Sequence, residues 1–201
     1  LQFIRYHHEQ LNVDPENVIL MGGSAGAGTS LWIGFNDDMA DPESGDPVLR
    51  ESTRVTAVIA IATQATYDIG KWATVVFEEF NVDLLALADA LGLAQSILDF
   101  YGITDVETFE SDDILDYRAR VDMLDLMDAD DPPMYVQNDL EPADVAPLTV
   151  NLAFHHANHA VSLMDRAEEV GLEAVVNIGG LMLVDPSGED STDFALRHFG
   201  L

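Results

Sequence analysis

Four short runs in the chain are apolar at nearly every position: Val18-Ile19-Leu20-Met21, Val55 to Ala62, Met134-Tyr135-Val136 and Ala174 to Ile178. Runs of this kind, rather than alternating ones, predict strands buried on both faces, as in a parallel sheet. Between the first two, Thr29-Ser30-Leu31-Trp32-Ile33-Gly34-Phe35 predicts a helix that ends in Asn36-Asp37-Asp38. A helix between two apolar strands is the βαβ signature. From Ile69 to about Asp128 the period lengthens, with apolar positions at Leu84, Leu87, Leu91 and Ile97, then Ile114, Tyr117, Val121 and Leu124. These roughly sixty residues contain no clear strand and predict a helical insertion. After Asp130-Asp131-Pro132-Pro133 and the third strand, a polar loop is expected, then a helix from about Asn158 to Val170 closed by Gly171. Residues 1–11 read as the end of a helix. Pro15 biases Asp14 towards a turn, and a last helix ends near Phe199.

With 201 residues, 48% of them apolar, a single domain around one core is expected. There is no cysteine, so disulfides and thiolate metal sites are excluded and any nucleophile must be an oxygen. The longest apolar run falls far short of the ~20 residues of a membrane span, so a soluble chain is expected. Leu1 opens directly into an amphipathic pattern without a signal leader, which makes the cytoplasm the default location and reads as a start in mid-protein.

Charge changes the picture most. The 37 acidic residues against 8 basic ones give a formal net charge of -29, with Lys71 the only lysine. Nucleic acids and anionic membranes would be repelled. The acids are spread through apolar, periodic segments, which makes them a solvated shell rather than a disordered tail. Such a surface repels itself unless salt shortens the screening length from ~10 Å at 0.1 M to ~3 Å at 1 M. The composition resembles that of proteins from salt-loving organisms, and the urea midpoint is expected to rise between low and molar KCl.

The candidate chemistry lies just after the first strand, in Gly22-Gly23-Ser24-Ala25-Gly26. In the spacing G-x-S-x-G the serine occupies a strained strand-to-helix turn that exposes its hydroxyl, and side chains at Gly22 and Gly26 are expected to collide across it. The Ala25 N–H at the helix start would hold an oxyanion. A glycine-rich phosphate turn is the bland alternative, but neither dinucleotide nor P-loop spacing is present, and no cofactor is expected.

The stretch from Asn12 to Gly28 resembles the nucleophile elbow of the carboxylesterase and lipase-like branch of the α/β-hydrolases, and the order of elements after it is similar over most of the chain. The resemblance implies an α/β fold with a mostly parallel sheet, incomplete at the N-terminus, and a helical cap at about residues 69–128 over an acyl pocket. It implies a serine carboxylic-ester hydrolase acting on a small-molecule ester, with Ser24 as nucleophile. The strands that normally precede the elbow would leave an edge needing cover, by an N-terminal segment or a second copy of the chain.

The family order of serine, acid and histidine leaves several residues open. After the third strand, Asp139, Glu141 and Asp144 are candidate acids, with Asp144 or Asp139 preferred; counting back from the next helix points instead to Asn151 or Leu152. After the fourth strand, where histidine is expected, the chain reads Ile178-Gly179-Gly180-Leu181-Met182, and His198 reads as a surface residue. His155, His156 and His159 should face the same rim as Ser24. They could cap or pack a helix, supply a displaced base through His159 or His156, or form a metal pair, although two imidazoles lack the third ligand of a catalytic zinc. Asp128 to Pro133 lacks the glycine and glutamate of a calcium loop. The alternative to an esterase is a non-catalytic hydrolase-fold protein that has lost its base.

Overall fold

A computed structural model describes residues 1–139 and 145–201. In chain order the elements are α1 (Gln2–Tyr6), α2 (His8–Leu11), β1 (Ile19–Gly23), α3 (Ala25–Phe35), β2 (Ala57–Ile61), α4 (Leu84–Ala90), α5 (Ala94–Tyr101), α6 (Asp112–Arg120), α7 (Met123–Leu126), β3 (Met134–Asn138), α8 (Val150–His155), α9 (Ala157–Val170), β4 (Ala174–Ile178) and α10 (Ser191–Phe199). The four strands form one parallel sheet in the order β1-β2-β3-β4. All four lie where the apolar runs predict them.

The pleat divides the sheet into two faces. Val58, Ala60, Met134, Val136, Val176 and Ile178 pack against Ala27, Leu31 and Phe35 of α3 and Ala157, Ala160, Leu163 and Ala167 of α9. Ala57, Ile59, Tyr135 and Val175 meet Phe194 of α10 on the other face. That burial on both faces explains why β2 is apolar throughout and β3 is apolar from Met134 to Val136. β1 is the edge strand, and it departs from the expected burial on both faces: Met21 on the α10 side is 65% exposed because no helix reaches that far.

The connection from β2 to β3 contains α4 to α7 and several single turns, with no strand among the described residues. Three anchors fix it. Arg118 donates to Asp68 at 2.7 Å in a buried pair and to Glu110 at 2.9 Å; Lys71 bridges Asp122 and, at 2.6 Å, Asp125; Trp32 of α3 donates to the Arg120 carbonyl at 2.8 Å. A Cβ at Gly70 would run into the Arg118 guanidinium, so the segment's first turn closes directly over that pair. Few as the cations are, these two cross-link the connection.

The polar loop expected after β3 contains an additional helix, α8. Thr149 caps it, its hydroxyl accepting from Leu152 N–H at 3.2 Å. Gly171 (φ +80°) closes α9 as expected, and Asp190 opens α10 with a capping box. No single helix among the described residues is long and apolar enough to cross a membrane.

Candidate active site

Ser24 joins β1 to α3 with φ +54° and ψ −123°, a conformation that residues with a Cβ rarely adopt. The turn is held from both sides. Ser24 N–H donates to the Ile61 carbonyl of β2 at 2.9 Å, and the Ser24 carbonyl accepts from Ala27 and Gly28. A side chain at Gly22 would run into the Gly26 carbonyl, which makes glycine obligatory there. At Gly26 itself a Cβ would meet open space, so the expected collision is one-sided. Tyr67 and Thr29 hydroxyls both donate to the Ala25 carbonyl, at 2.6 and 2.8 Å. The Ala25 N–H lies in the first turn of α3, where N–H groups have no intrahelical partner and the helix end carries partial positive charge.

Ser24 Oγ lies 2.7 Å from His155 Nε2, and His155 Nδ1 lies 3.0 Å from Asn151 Oδ1. Asn151 and His155 are one turn apart on α8, so the short helix itself puts amide and imidazole on one face. The amide oxygen can only accept, which puts the proton on Nδ1 and leaves the Nε2 lone pair for the serine hydroxyl. Asn138, at the end of β3, donates to the backbone carbonyls of His155 and His156 at 2.9 and 3.1 Å, tying the helix end to the sheet. Burial holds the His155 pKa below 6.5, with the backbone carbonyl of Asn151 working the other way.

The two histidines favoured on sequence grounds lie elsewhere. His156 is fully buried; its Nδ1 accepts from Asn158 N–H at 3.1 Å and its Nε2 reaches the Val145 carbonyl at 2.9 Å. His159 is fully buried as well, between the Ala65 N–H (3.1 Å) and the Ala153 carbonyl (3.0 Å), with its pKa pushed down to about 3 by burial. Both pack edge-on against Phe77. With both nitrogens of each ring held by backbone groups, neither can take a proton from Ser24. The same bonds occupy the nitrogens a metal would need, and no cluster of three potential ligands occurs among the described residues.

Among the candidate acids, Asp139 is exposed and accepts from Gln137 Nε2 rather than from an imidazole. Asp144 and Glu141 lie outside the described residues. His198 is half-buried rather than on the surface, its ring tilted against Phe194 with centroids 4.5 Å apart.

Ser24, Ala25 and His155 open into a cavity of about 540 Å³ whose walls include Tyr67, Ile69, Trp72, Ile97, Phe100 and Phe154. Most of that wall comes from the β2–β3 connection.

No family model and no curated protein matches the chain. Solved structures do match. A truncated form of a carbohydrate esterase from gut microbiota aligns over 100% of this chain and 66% of its own, with 15% identity and a TM-score of 0.60. An acetyl ester-xyloside bifunctional hydrolase from Caldicellulosiruptor lactoaceticus covers 98% of this chain and 56% of its own, with 17% identity and a TM-score of 0.54. For a sugar hydrolase from Lactococcus lactis the figures are 98%, 65%, 14% and 0.51. The chain has the α/β-hydrolase fold. It spans between 56% and 66% of the length of these structures. Within this α/β-hydrolase sheet, Ser24 follows the edge strand and His155 comes from the helix after β3. The i,i+4 spacing of Asn151 and His155 is the sequence signal for that pairing.

Proposed function

We propose that the protein is a serine carboxylic-ester hydrolase in which Ser24 is the nucleophile, His155 the base and Asn151 the residue that orients the base. The 2.7 Å contact between Ser24 Oγ and His155 Nε2 beside an apolar cavity carries this reading. Ser24 Oγ attacks the ester carbonyl carbon as its proton passes to His155 Nε2, and the Ala25 N–H stabilises the resulting oxyanion. His155 returns the proton to the departing alcohol. Water, deprotonated by the same nitrogen, then frees the acid from the acyl-enzyme. In this reading the helices between β2 and β3 act as a cap over the acyl group. The carbohydrate and acetyl esterases of the same fold support a small ester as the substrate class.

A second reading, a hydrolase-fold protein without activity, is favoured by the amide of Asn151 standing where a carboxylate would hold the imidazolium charge. An alkyl fluorophosphonate separates the two. The hydrolase reading expects covalent labelling that Ser24→Ala abolishes, and hydrolysis of p-nitrophenyl butyrate that falls at least about a thousandfold in the same variant. Absence of serine-dependent labelling would falsify it.

A further inference from the structure

Behind the Ser24 cavity lies a second one of about 90 Å³, walled by Leu84, Ala88, Ala94, Leu98, Val106 and Phe109. Ile69 and Ile97 line both cavities and stand between them. The second chamber has no charged or hydrogen-bonding side chain in its wall. In the first, the polar groups are turned to the protein: Gln64 Nε2 donates to the Phe154 carbonyl at 2.7 Å, and Thr29 and Tyr67 donate to the Ala25 carbonyl. Apart from the exposed Ser96, the space beyond Ser24 is bounded by hydrocarbon and aromatic rings. A hydroxylated or charged group placed there would lose water without gaining partners.

We propose that the two cavities form one acyl site for a straight aliphatic chain of medium length, with its carbonyl at Ser24 and its methyl end beyond Ile69 and Ile97. The position of the carbonyl rests on the hydrolase reading of Ser24; the apolar chamber does not. The chamber has room for about three methylenes at roughly 30 Å³ each. Each buried methylene is worth about a fourfold gain in kcat/KM, so filling the chamber amounts to roughly sixtyfold.

The test is kcat/KM across p-nitrophenyl acetate, butyrate, octanoate and palmitate. The wild type is expected to rise from acetate to octanoate and to fall at palmitate. Ala88→Phe fills the chamber and lowers the octanoate-to-butyrate ratio at least tenfold; Leu98→Ala enlarges it and moves the optimum to a longer chain. Ratios are insensitive to the folded fraction, so a poorly folding variant still reports. Octanoate binding to the Ser24→Ala protein, followed by fluorescence of Trp72 and weakened by Ala88→Phe, gives a readout free of catalysis. A wild-type profile that is flat or falls from acetate to octanoate, or an Ala88→Phe variant that slows all esters by one factor, overturns the acyl site. Octanoate binding without fluorophosphonate labelling overturns the hydrolase reading and leaves the acyl site standing. Labelling with a flat profile does the reverse.

Discussion

His155 and His156 are neighbours in sequence, yet their partners put the ring protons on opposite nitrogens. His155 ends α8, its Nδ1 at the Asn151 amide oxygen and its Nε2 at Ser24. His156 is the N-cap of α9: its Nδ1 accepts from Asn158 N–H, so the proton sits on Nε2, facing the Val145 carbonyl. The backbone leaves the helical region at His156 (ψ 143°), which sends one ring to the cavity and the other into the core. The same residue type is available for the proposed chemistry where a side-chain hydroxyl faces its free lone pair, and serves architecture where the backbone claims both nitrogens.

The largest effect expected from breaking this contrast is on activity. His155→Ala should lower kcat/KM by about 10³–10⁴ while changing unfolding free energy by less than about 1 kcal/mol. His156→Ala should do the opposite. It removes an N-cap and a ring buried against Phe77 and Phe80, which destabilises the fold by about 2–4 kcal/mol. Fluorophosphonate labelling per folded molecule should change only a few-fold. Labelling lost in His156→Ala and kept in His155→Ala would reverse the assignment.

Next in size is the pH dependence of stability. The folded-state pKa of His159 is pushed by burial from 6.5 down to about 3. Between these values the unfolded chain binds the proton and the folded one does not. Its contribution is therefore fully present above pH 6.5 and is lost as pH falls towards 3, with an upper bound of about 5 kcal/mol. His156 shifts in the same direction. Asp131, raised by burial to about 6, opposes them between pH 6 and 3.8. Urea unfolding across pH 4 to 7 should show a net decline towards acid that is flattened in His159→Gln. A decline of equal slope in that variant would show that carboxylates held below their ordinary pKa by ion pairs, such as Asp125 with Lys71 and Glu189 with Arg197, set acid stability instead of the buried imidazole.

The elbow was legible because its determinants are local: an apolar strand, three glycine or serine positions and a helix start within a dozen residues. The last helix and the Gly171 stop were legible for the same reason. The proposed base was not, because Ser24 and His155 are 131 residues apart and three histidines in five residues compete for one place. What separates them is α8, six residues long with Val150 and Asn151 at its start, both weak helix formers, and fixed by the Thr149 cap and by Asn138 rather than by propensity. Counting back from the next helix reached Asn151 or Leu152 as the partner's place, and Asn151 is the residue on the Ser24 side. The uncovered edge beside β1 was legible from the strands expected upstream of the elbow, but the exposure of Met21 was not, because an apolar run looks alike in a central and an outer strand.

The smallest expected effect bears on why an amide stands behind the base. In the proposed mechanism, proton transfer from Ser24 creates an imidazolium that Asn151 would orient without offsetting its charge, whereas a carboxylate 3.0 Å from Nδ1 would do both. Asn151→Asp preserves the acceptor and adds the charge. His155 then becomes more basic, so the acid limb of the kcat/KM profile moves to higher pH, while above that limb the rate rises. Because Asn151 is exposed, water screens the added charge, and a gain of about tenfold is expected rather than the full effect of a buried carboxylate. Asn151→Ala removes the acceptor and should fall about tenfold, with the limb displaced little. If Asn151→Asp leaves both rate and limb where they were, Asn151 does not act through His155, and the imidazole is oriented by its helix alone.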